Sequence, residues 1–380
     1  MAVRFVHTAD WQLGMTRQFL TEEAQARFSQ ARIDVIRTIA RVVREEHAAF
    51  VVVAGDVFES NQVQPRTVRR AVEALSEVPV PVYLLPGNHD PLDAGTVYRS
   101  PTFERYRPDN VVVLNDSTPR VAVPGVEVVG APWTSKRLLR DLVEAVTAEL
   151  NPAPGVARVL VAHGAIRDAM TGENPAAIDL GKAEAALAAG RISYLALGDR
   201  HSTTSLGPTG RIRYSGSPEP TAHDESDAGN VLVVEITDAG ECIVRPRLVG
   251  TWRFVQEAFE LDTHTGMEPM ARWLDSQVAK DRCAVRLSLY GTISLSVDAE
   301  LQDLLDRHGD LFGALELAGQ PDVLVVRPDD DDFADLELTG FAAETVQELR
   351  VEASLGGPQA AVARDALALL VRLKRGTGAR

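Results

Sequence analysis

VRFVHTADWQ, residues 3–12, decides the fold: an apolar run of β type stops at Asp10 and Gln12, two side chains that can bind a metal ion. The same figure recurs along the chain. FVVVA at 50–54 leads into GDVF at 55–58, and VYLLP at 82–86 leads into GNHD at 87–90. ARVLVA at 157–162 leads into His163 of AHG, and YLAL at 194–197 leads into GDRH at 198–201. In an α/β sheet, ligand groups gather outside the carboxyl ends of the strands. Asp10, Gln12, Asp56, Asn88, His163, Asp199 and His201 are therefore expected in one crevice. One Asp-x-Gln alone would carry no weight; the ordered set does.

Carboxylate, amide and imidazole ligands without thiolate suit Mn²⁺, Fe²⁺ or Mg²⁺ better than a structural zinc. There are more candidate ligands than one ion needs, and a pair of ions about 3.5–4 Å apart is the usual arrangement for splitting phosphate esters. A carboxylate can bridge such a pair through its two oxygens, and Asp56 is the best placed to do so. The pair would activate water at neutral pH and neutralise charge in the transition state. His89, next to Asn88, is the expected proton donor to the leaving oxygen. Asp90 is expected to orient it.

These motifs resemble the calcineurin-like metallophosphoesterases, whose pattern is D-x-H, G-D, G-N-H-D, H and G-H-x-H in this order. Within that family the chain is similar to the SbcD/Mre11 branch of DNA repair nuclease subunits, to which HTADWQLG and the later YSGSPEP at 214–220 point specifically. The resemblance implies a sandwich of two mixed β-sheets flanked by helices. It also implies two divalent ions, Mn²⁺ foremost: one held by Asp10, Gln12, Asp56 and His201, the other by Asp56, Asn88, His163 and Asp199. DNA would be the substrate, in break repair or hairpin processing, and an SbcC/Rad50-like SMC-type ATPase the partner, with a homodimer also admitted. Gln12 and Asp199 each replace a histidine of the pattern. Both replacements harden the site toward Mn²⁺ or Mg²⁺. Asp-x-Gln also resembles Mn-dependent diphosphatases of the same superfamily, so a small-molecule phosphodiesterase or pyrophosphatase is the competing function. A non-catalytic scaffold subunit is a third.

The composition is that of a globular protein, 45% hydrophobic and 24% charged. No apolar stretch is long enough to span a membrane. The N-terminus runs straight into a strand, and Cys242 and Cys283 do not suggest a disulfide scaffold. A cytoplasmic protein is expected. A net charge of −15 cuts against DNA binding of the usual kind, which relies on a basic face. Metal ions, a partner, or the local clusters Arg66, Arg69 and Arg70, Arg99, Arg105 and Arg107, and Lys136, Arg137 and Arg140 would have to supply positive charge. Each cluster reads first as a solvated helix face. His7 reads as a strand-end hydrogen-bonder, and His47, His223, His264 and His308 as surface residues.

With 380 residues, more than one domain is expected. Residues 1–250 alternate strands with helices over 22–46, 65–76, 136–150 and 181–190 and form the nuclease domain. Residues 251–340 read as a smaller α+β unit in the place of the SbcD/Mre11 capping domain. Residues 341–380 read as two helices, over 341–350 and 358–375. The second carries an apolar stripe of Val362, Ala366, Leu369, Leu370 and Leu373. By the resemblance, this segment grips the ATPase.

Overall fold

A computed structural model describes residues 2–168, 174–262, 267–319, 324–326, 339–355 and 357–377. The chain divides into two compact units, one of residues 1–18 and 22–253, the other of 19–21 and 254–380.

The first unit runs β1 (Val3–Thr8), α1 (Glu22–Glu46), β2 (Val51–Val53), α2 (Pro65–Ser76), β3 (Val82–Leu84), α3 (Pro101–Tyr106), β4 (Val111–Val113), β5 (Arg120–Val123) and β6 (Val126–Ala131). It continues with α4 (Leu142–Glu149), β7 (Ala157–His163), α5 (Leu180–Ala188), β8 (Tyr194–Gly198), β9 (Thr204–Leu206), β10 (Ile212–Tyr214), β11 (Asn230–Ile236) and β12 (Cys242–Leu248). Two six-stranded mixed sheets result, in the orders β12-β11-β1-β2-β3-β4 and β5-β6-β7-β8-β10-β9. The strands that deliver the motifs run parallel to their motif-bearing neighbours: β1, β2 and β3 in the first sheet, β7 and β8 in the second.

These strands are apolar on both faces because both faces are covered. Val51 and Val53 pack with Ile33, Ile36 and Ile39 of α1, while Val52 packs with Phe5, Val159 and Val161 between the sheets. In β7, Leu160 and Ala162 turn the other way and meet α4 and α5. The layers are helix, sheet, sheet, helix. Buried His7 lies between the sheets, held by Tyr194 Oη (3.1 Å) and the Leu197 carbonyl (3.2 Å).

Helices α1 and α2 have the expected bounds. The helix expected over 136–150 instead starts at Leu142, because Asp141 caps it by accepting from the Val143 and Glu144 amides, which leaves Lys136, Arg137 and Arg140 on a loop. His223 is a further correction: it is buried, at 8% exposure. His47 is exposed, His308 is half-buried, and His264 lies outside the described residues.

The second unit contains β13 (Arg253–Asp262), α6 (Glu268–Ser276), β14 (Cys283–Ile293), α7 (Leu295–Gly309), β15 (Ala314–Leu317), β16 (Leu324–Val326), α8 (Phe341–Leu355) and α9 (Pro358–Thr377). Its strands form one sheet with β14 at the centre. The expected apolar stripe of α9 is not its buried side, which centres on Leu367 outside that stripe. Leu367 packs on Leu295 and Ala299 of α7 and Val346 of α8, with Leu370 beside them, whereas Val362 and Leu369 are exposed. Among the described residues no helix is long and apolar enough to cross a membrane.

Candidate metal centre

The loop after β1 and the loop after β2 run side by side. The Asp10 amide donates to the Gly55 carbonyl (3.1 Å), Gln12 to Asp56 (2.8 Å) and Leu13 to Val57 (2.9 Å). This pairing holds three ligand candidates in left-handed backbone, with φ of 54° at Asp10, 42° at Gln12 and 51° at Asp56; a fourth, Asp199 after β8, has φ of 104°. Among the described residues only His47 and Ala279 are other non-glycine residues of that kind. Such conformations cluster where surrounding structure enforces them for function. The glycines before Asp56 and Asn88 are fixed by the same crowding. A Cβ on Gly55 would lie 2.2 Å from His163 Nδ1, and one on Gly87 would lie 2.2 Å from Asp56 Oδ1.

Ligand atoms of Asp10, Asp56 and His163 lie within 4.8 Å of one another, and all three residues are buried. His163 Nδ1 donates to the Ala54 carbonyl (2.9 Å). Its Nε2 therefore faces Asn88 Oδ1 (2.6 Å), Asp56 Oδ2 (3.5 Å) and Asp199 Oδ1 (3.6 Å). His201 is set up alike: Nδ1 meets Glu225 Oε1 (2.9 Å), and Nε2 lies 3.9 Å from Asp10 Oδ1 and 3.5 Å from Gln12 Nε2. Metal-binding histidines usually have the second nitrogen tied in this way. The Asp199 amide donates to both oxygens of Asp10, at 3.2 and 3.1 Å, which joins the two halves of the cluster. All seven expected ligands are thus brought together.

The donor set fits a hard divalent cation. Gln12 Oε1 is buried with no hydrogen-bond partner in the protein, an expensive state for an amide oxygen and one that a cation would resolve. The electrostatics agree. Burial, reinforced by Asp56, pushes the Asp10 carboxyl up to about 6 despite the opposing pull of His163 and His201. Burial acts likewise on Asp56, but His163 and His89 outweigh it and hold that carboxyl low. Burial disfavours charge on His163, yet Asp56, Asp10 and Asp199 raise its pKa well above the ordinary value. Carboxylates that draw a proton onto a buried imidazole will also draw a metal ion, in competition with that proton.

His89 is half-exposed beside the cluster. Its Nδ1 is held by the Glu59 carbonyl (2.9 Å), and its Nε2 lies 3.9 Å from Asp56 Oδ2. The expected partnership with Asp90 is replaced. Asp90 is fully buried and accepts from the Gly87 amide (2.8 Å), the Phe58 amide (3.0 Å) and Tyr98 Oη (2.6 Å), so it braces the two ligand loops rather than the ring. Trp11 is core, with its indole N–H on Thr8 Oγ1 (2.9 Å). Sequence reasoning missed Glu225, and it missed Arg32. Arg32 is buried in α1 and donates to the carbonyls of Trp11 (3.0 Å), Pro220 (3.1 Å), Glu219 (3.3 Å) and Asp10 (3.5 Å). An arginine flanked by Ala31 and Ile33 on the apolar side of a helix was the available signal.

A layered α/β sandwich with this cluster at its strand ends defines a metallophosphoesterase. The chain belongs to the calcineurin-like phosphoesterase family, whose pattern it matches over residues 3–202, a little over half its length. Among curated proteins it is similar to the SbcD subunit of the SbcCD nuclease of Bacillus subtilis (strain 168), at 24% identity over 310 residues, 72% of this chain and 75% of that one. It is also similar to the DNA double-strand break repair protein Mre11 of Archaeoglobus fulgidus, at 36% identity over 91 residues; the match takes in 23% of this chain and only 19% of that protein's length. Among solved structures, the protein TT1561 of Thermus thermophilus aligns with a TM-score of 0.41 at 10% identity, over 66% of this chain and 100% of that one.

Proposed function

We propose that this chain is a two-metal DNA phosphodiesterase, the nuclease subunit of an SbcCD/Mre11-type complex acting in break repair or hairpin processing. One observation carries the reading. Similarity to an SbcCD nuclease subunit takes in 72% of this chain and 75% of that subunit, more of the chain than the stretch 3–202 that matches the phosphoesterase family.

Asp10, Gln12, Asp56 and His201 would hold one divalent ion, and Asp56, Asn88, His163 and Asp199 the other, Mn²⁺ being the best match to the donors. Bound there, the pair supplies positive charge for the phosphoryl oxygens and acidifies water. The protein's own groups do the rest. The Ala54 carbonyl and the Glu225 carboxylate fix the rings of His163 and His201. The Glu59 carbonyl fixes His89 with Nε2 free to hold the proton that passes to the leaving oxygen. Arg200, exposed between Asp199 and His201 and without an ion pair among the described residues, serves as a contact for the substrate phosphate.

The second unit takes the place of a capping domain that orients DNA, and α8 and α9 take that of the ATPase-binding segment. Exposure of Phe341, Leu355, Val362 and Leu369 on those helices supports this. The net charge of −15 favours a second reading, hydrolysis of small phosphodiesters or pyrophosphates, for which no basic track is needed. An Mn²⁺-dependent assay on labelled duplex and hairpin DNA, with and without an SbcC/Rad50-type ATPase, separates the two. The nuclease reading requires DNA cleavage. Turnover of nucleotide diphosphates or small diesters with intact DNA would establish the second.

A further inference from the structure

Outside the metal centre, a cleft of 1330 Å³ in the first unit is lined in part by Asn115, Ser117, Arg137, Leu139 and Arg140. The stretch 134–140 borders it and is anchored at both ends. Before it, the indole of Trp133 donates to the His163 carbonyl (2.7 Å), and the Trp133 backbone is bonded to Pro86 (3.1 Å) and Leu92 (2.8 Å), on either side of GNHD. After it, Asp141 caps α4 and accepts from the Asp179 amide (2.8 Å). The loop therefore starts at the back of a metal-ligand candidate. At about 3.3–3.6 Å per residue, Leu139 lies within about 20 Å of Trp133.

Around one exposed apolar side chain the loop gathers three cations that have no acidic partner among the described residues. Elsewhere Arg4, Arg37, Arg120, Arg158, Lys182 and Arg247 are each paired with a carboxylate, as a chain with 54 acidic and 39 basic residues allows. Lys136, Arg137 and Arg140 are exposed and have no ion pair among the described residues. Of the acids that share the cleft, Asp116 and Glu144 are committed to Arg120 and Lys182 and Asp141 to backbone amides, leaving Glu149. Between the cations stands Leu139, at 86% the most exposed large apolar side chain among the described residues. Because 136–141 is loop and not helix, these residues are not simply the solvated face of α4.

We propose that 134–140 is a nucleic-acid contact loop, in which Lys136, Arg137 and Arg140 take phosphates of the strand entering the metal centre and Leu139 presses against its bases as an apolar wedge. Unpaired cations supply the salt-dependent, sequence-independent grip that phosphate binding requires. A leucine beside them fits the use of apolar wedges at opened base steps. The proposal rests on DNA being the substrate. A basic loop with an exposed leucine also suits an anionic lipid surface, but its attachment to His163 through Trp133 favours a ligand that reaches the metal centre.

The test uses the full chain, with Lys136, Arg137 and Arg140 changed together to Glu, and separately Leu139→Ser. All four positions are exposed, so melting temperatures serve as the folding control. Binding of a cleavage-resistant phosphorothioate duplex is followed by anisotropy between about 50 and 200 mM salt. The triple variant should flatten the slope of log K against log salt by about 2–3, one step of about 0.9 for each phosphate lost. Leu139→Ser should keep the slope and weaken binding about tenfold, the worth of one buried leucine. Hydrolysis of bis(p-nitrophenyl) phosphate with Mn²⁺ should be unchanged in both. An unchanged slope in the triple variant overturns the loop's role while leaving the nuclease reading intact. Failure of the wild type to bind DNA overturns both. Loss of binding to phosphatidylserine vesicles with DNA affinity preserved would assign the loop to a membrane and overturn the proposal.

Discussion

Asp10, Gln12, Asp56 and Asp199 each hold left-handed backbone at a cost on the order of 1 kcal/mol, and the strand-end hydrogen bonds around them impose it. That cost aims their oxygens at one another, which suits a cluster meant to hold cations and little else. Three substitutions separate the roles. Asp56→Asn weakens the one group shared by both proposed ions, so turnover should vanish and Mn²⁺ occupancy should fall at both sites. Two tightly retained ions, counted by mass spectrometry under native conditions, would rule out bridging. Gln12→His restores the family's more usual residue at a φ that histidine tolerates. It should tighten the first site and shift preference toward metals that favour imidazole, and calorimetry showing neither change would remove Gln12 from the ligand set. His89→Ala should leave metal binding intact and cost about 10²–10⁴-fold on DNA, yet much less on a nitrophenyl diester whose leaving group needs no proton. Equal losses on both substrates would count against the proton-donor role.

At the level of the strand, β1 shows what the sequence made legible and what it did not. Its apolar residues, its end at Thr8 and the metal-binding side chains beyond were readable because strand period and motif coincide locally. Helices α1 and α2 were readable for the same reason. The partners of these motifs were not, because tertiary contacts choose them. Glu225, which holds His201, lies 24 residues away in no motif, and Asp90 binds the Phe58 amide 32 residues back instead of its neighbour His89. Strands β5, β9 and β10 are only three or four residues long and lack a periodic signal. His7 was readable as a hydrogen-bonder but not as a wholly buried one. Burial pulls its pKa down to about 3 against the opposing influence of the Leu197 carbonyl. An unfolded chain takes up a proton below about pH 6.5 that the folded chain refuses, so this residue costs stability as pH falls through that value. The loss reaches about 2 kcal/mol by pH 5. Asp10 and Asp90 are both raised to about 6, so they bind protons more readily when folded and lose stability as pH rises from the ordinary carboxylate range to 6. The clean observable is therefore the difference between wild type and His7→Gln in urea unfolding, with metal chelated. The gap should move by about 2 kcal/mol in favour of the variant between about pH 7 and pH 5, and a constant gap would mean that His7 is protonated within the fold.

Across the whole molecule, the proposed action on DNA would require an acidic chain to obtain positive charge and a second anchoring surface from a partner, which the proposal places on the C-terminal helices. On α9 two leucines, two positions apart, answer different questions. Leu367 is fully buried against Leu295 and Ala299, so it belongs to the second unit's own core. Leu369 is 56% and Val362 68% exposed, on the side turned away from that core. Leu367→Asp should destabilise the second unit by about 3–5 kcal/mol, since it both opens a cavity and buries a charge. Val362→Asp combined with Leu369→Asp should change stability by less than about 1 kcal/mol, as exposed substitutions usually do. If the exposed face is where an SMC-type ATPase docks, the double variant should nevertheless lose capture of that ATPase in a pull-down. Its metal centre should still hydrolyse a small diester at the wild-type rate, because every candidate ligand precedes residue 202. Thermal melts decide whether the comparison is fair. A double variant that melts with the wild type and still captures the ATPase as tightly would show that α9 serves only its own unit and that the partner binds elsewhere.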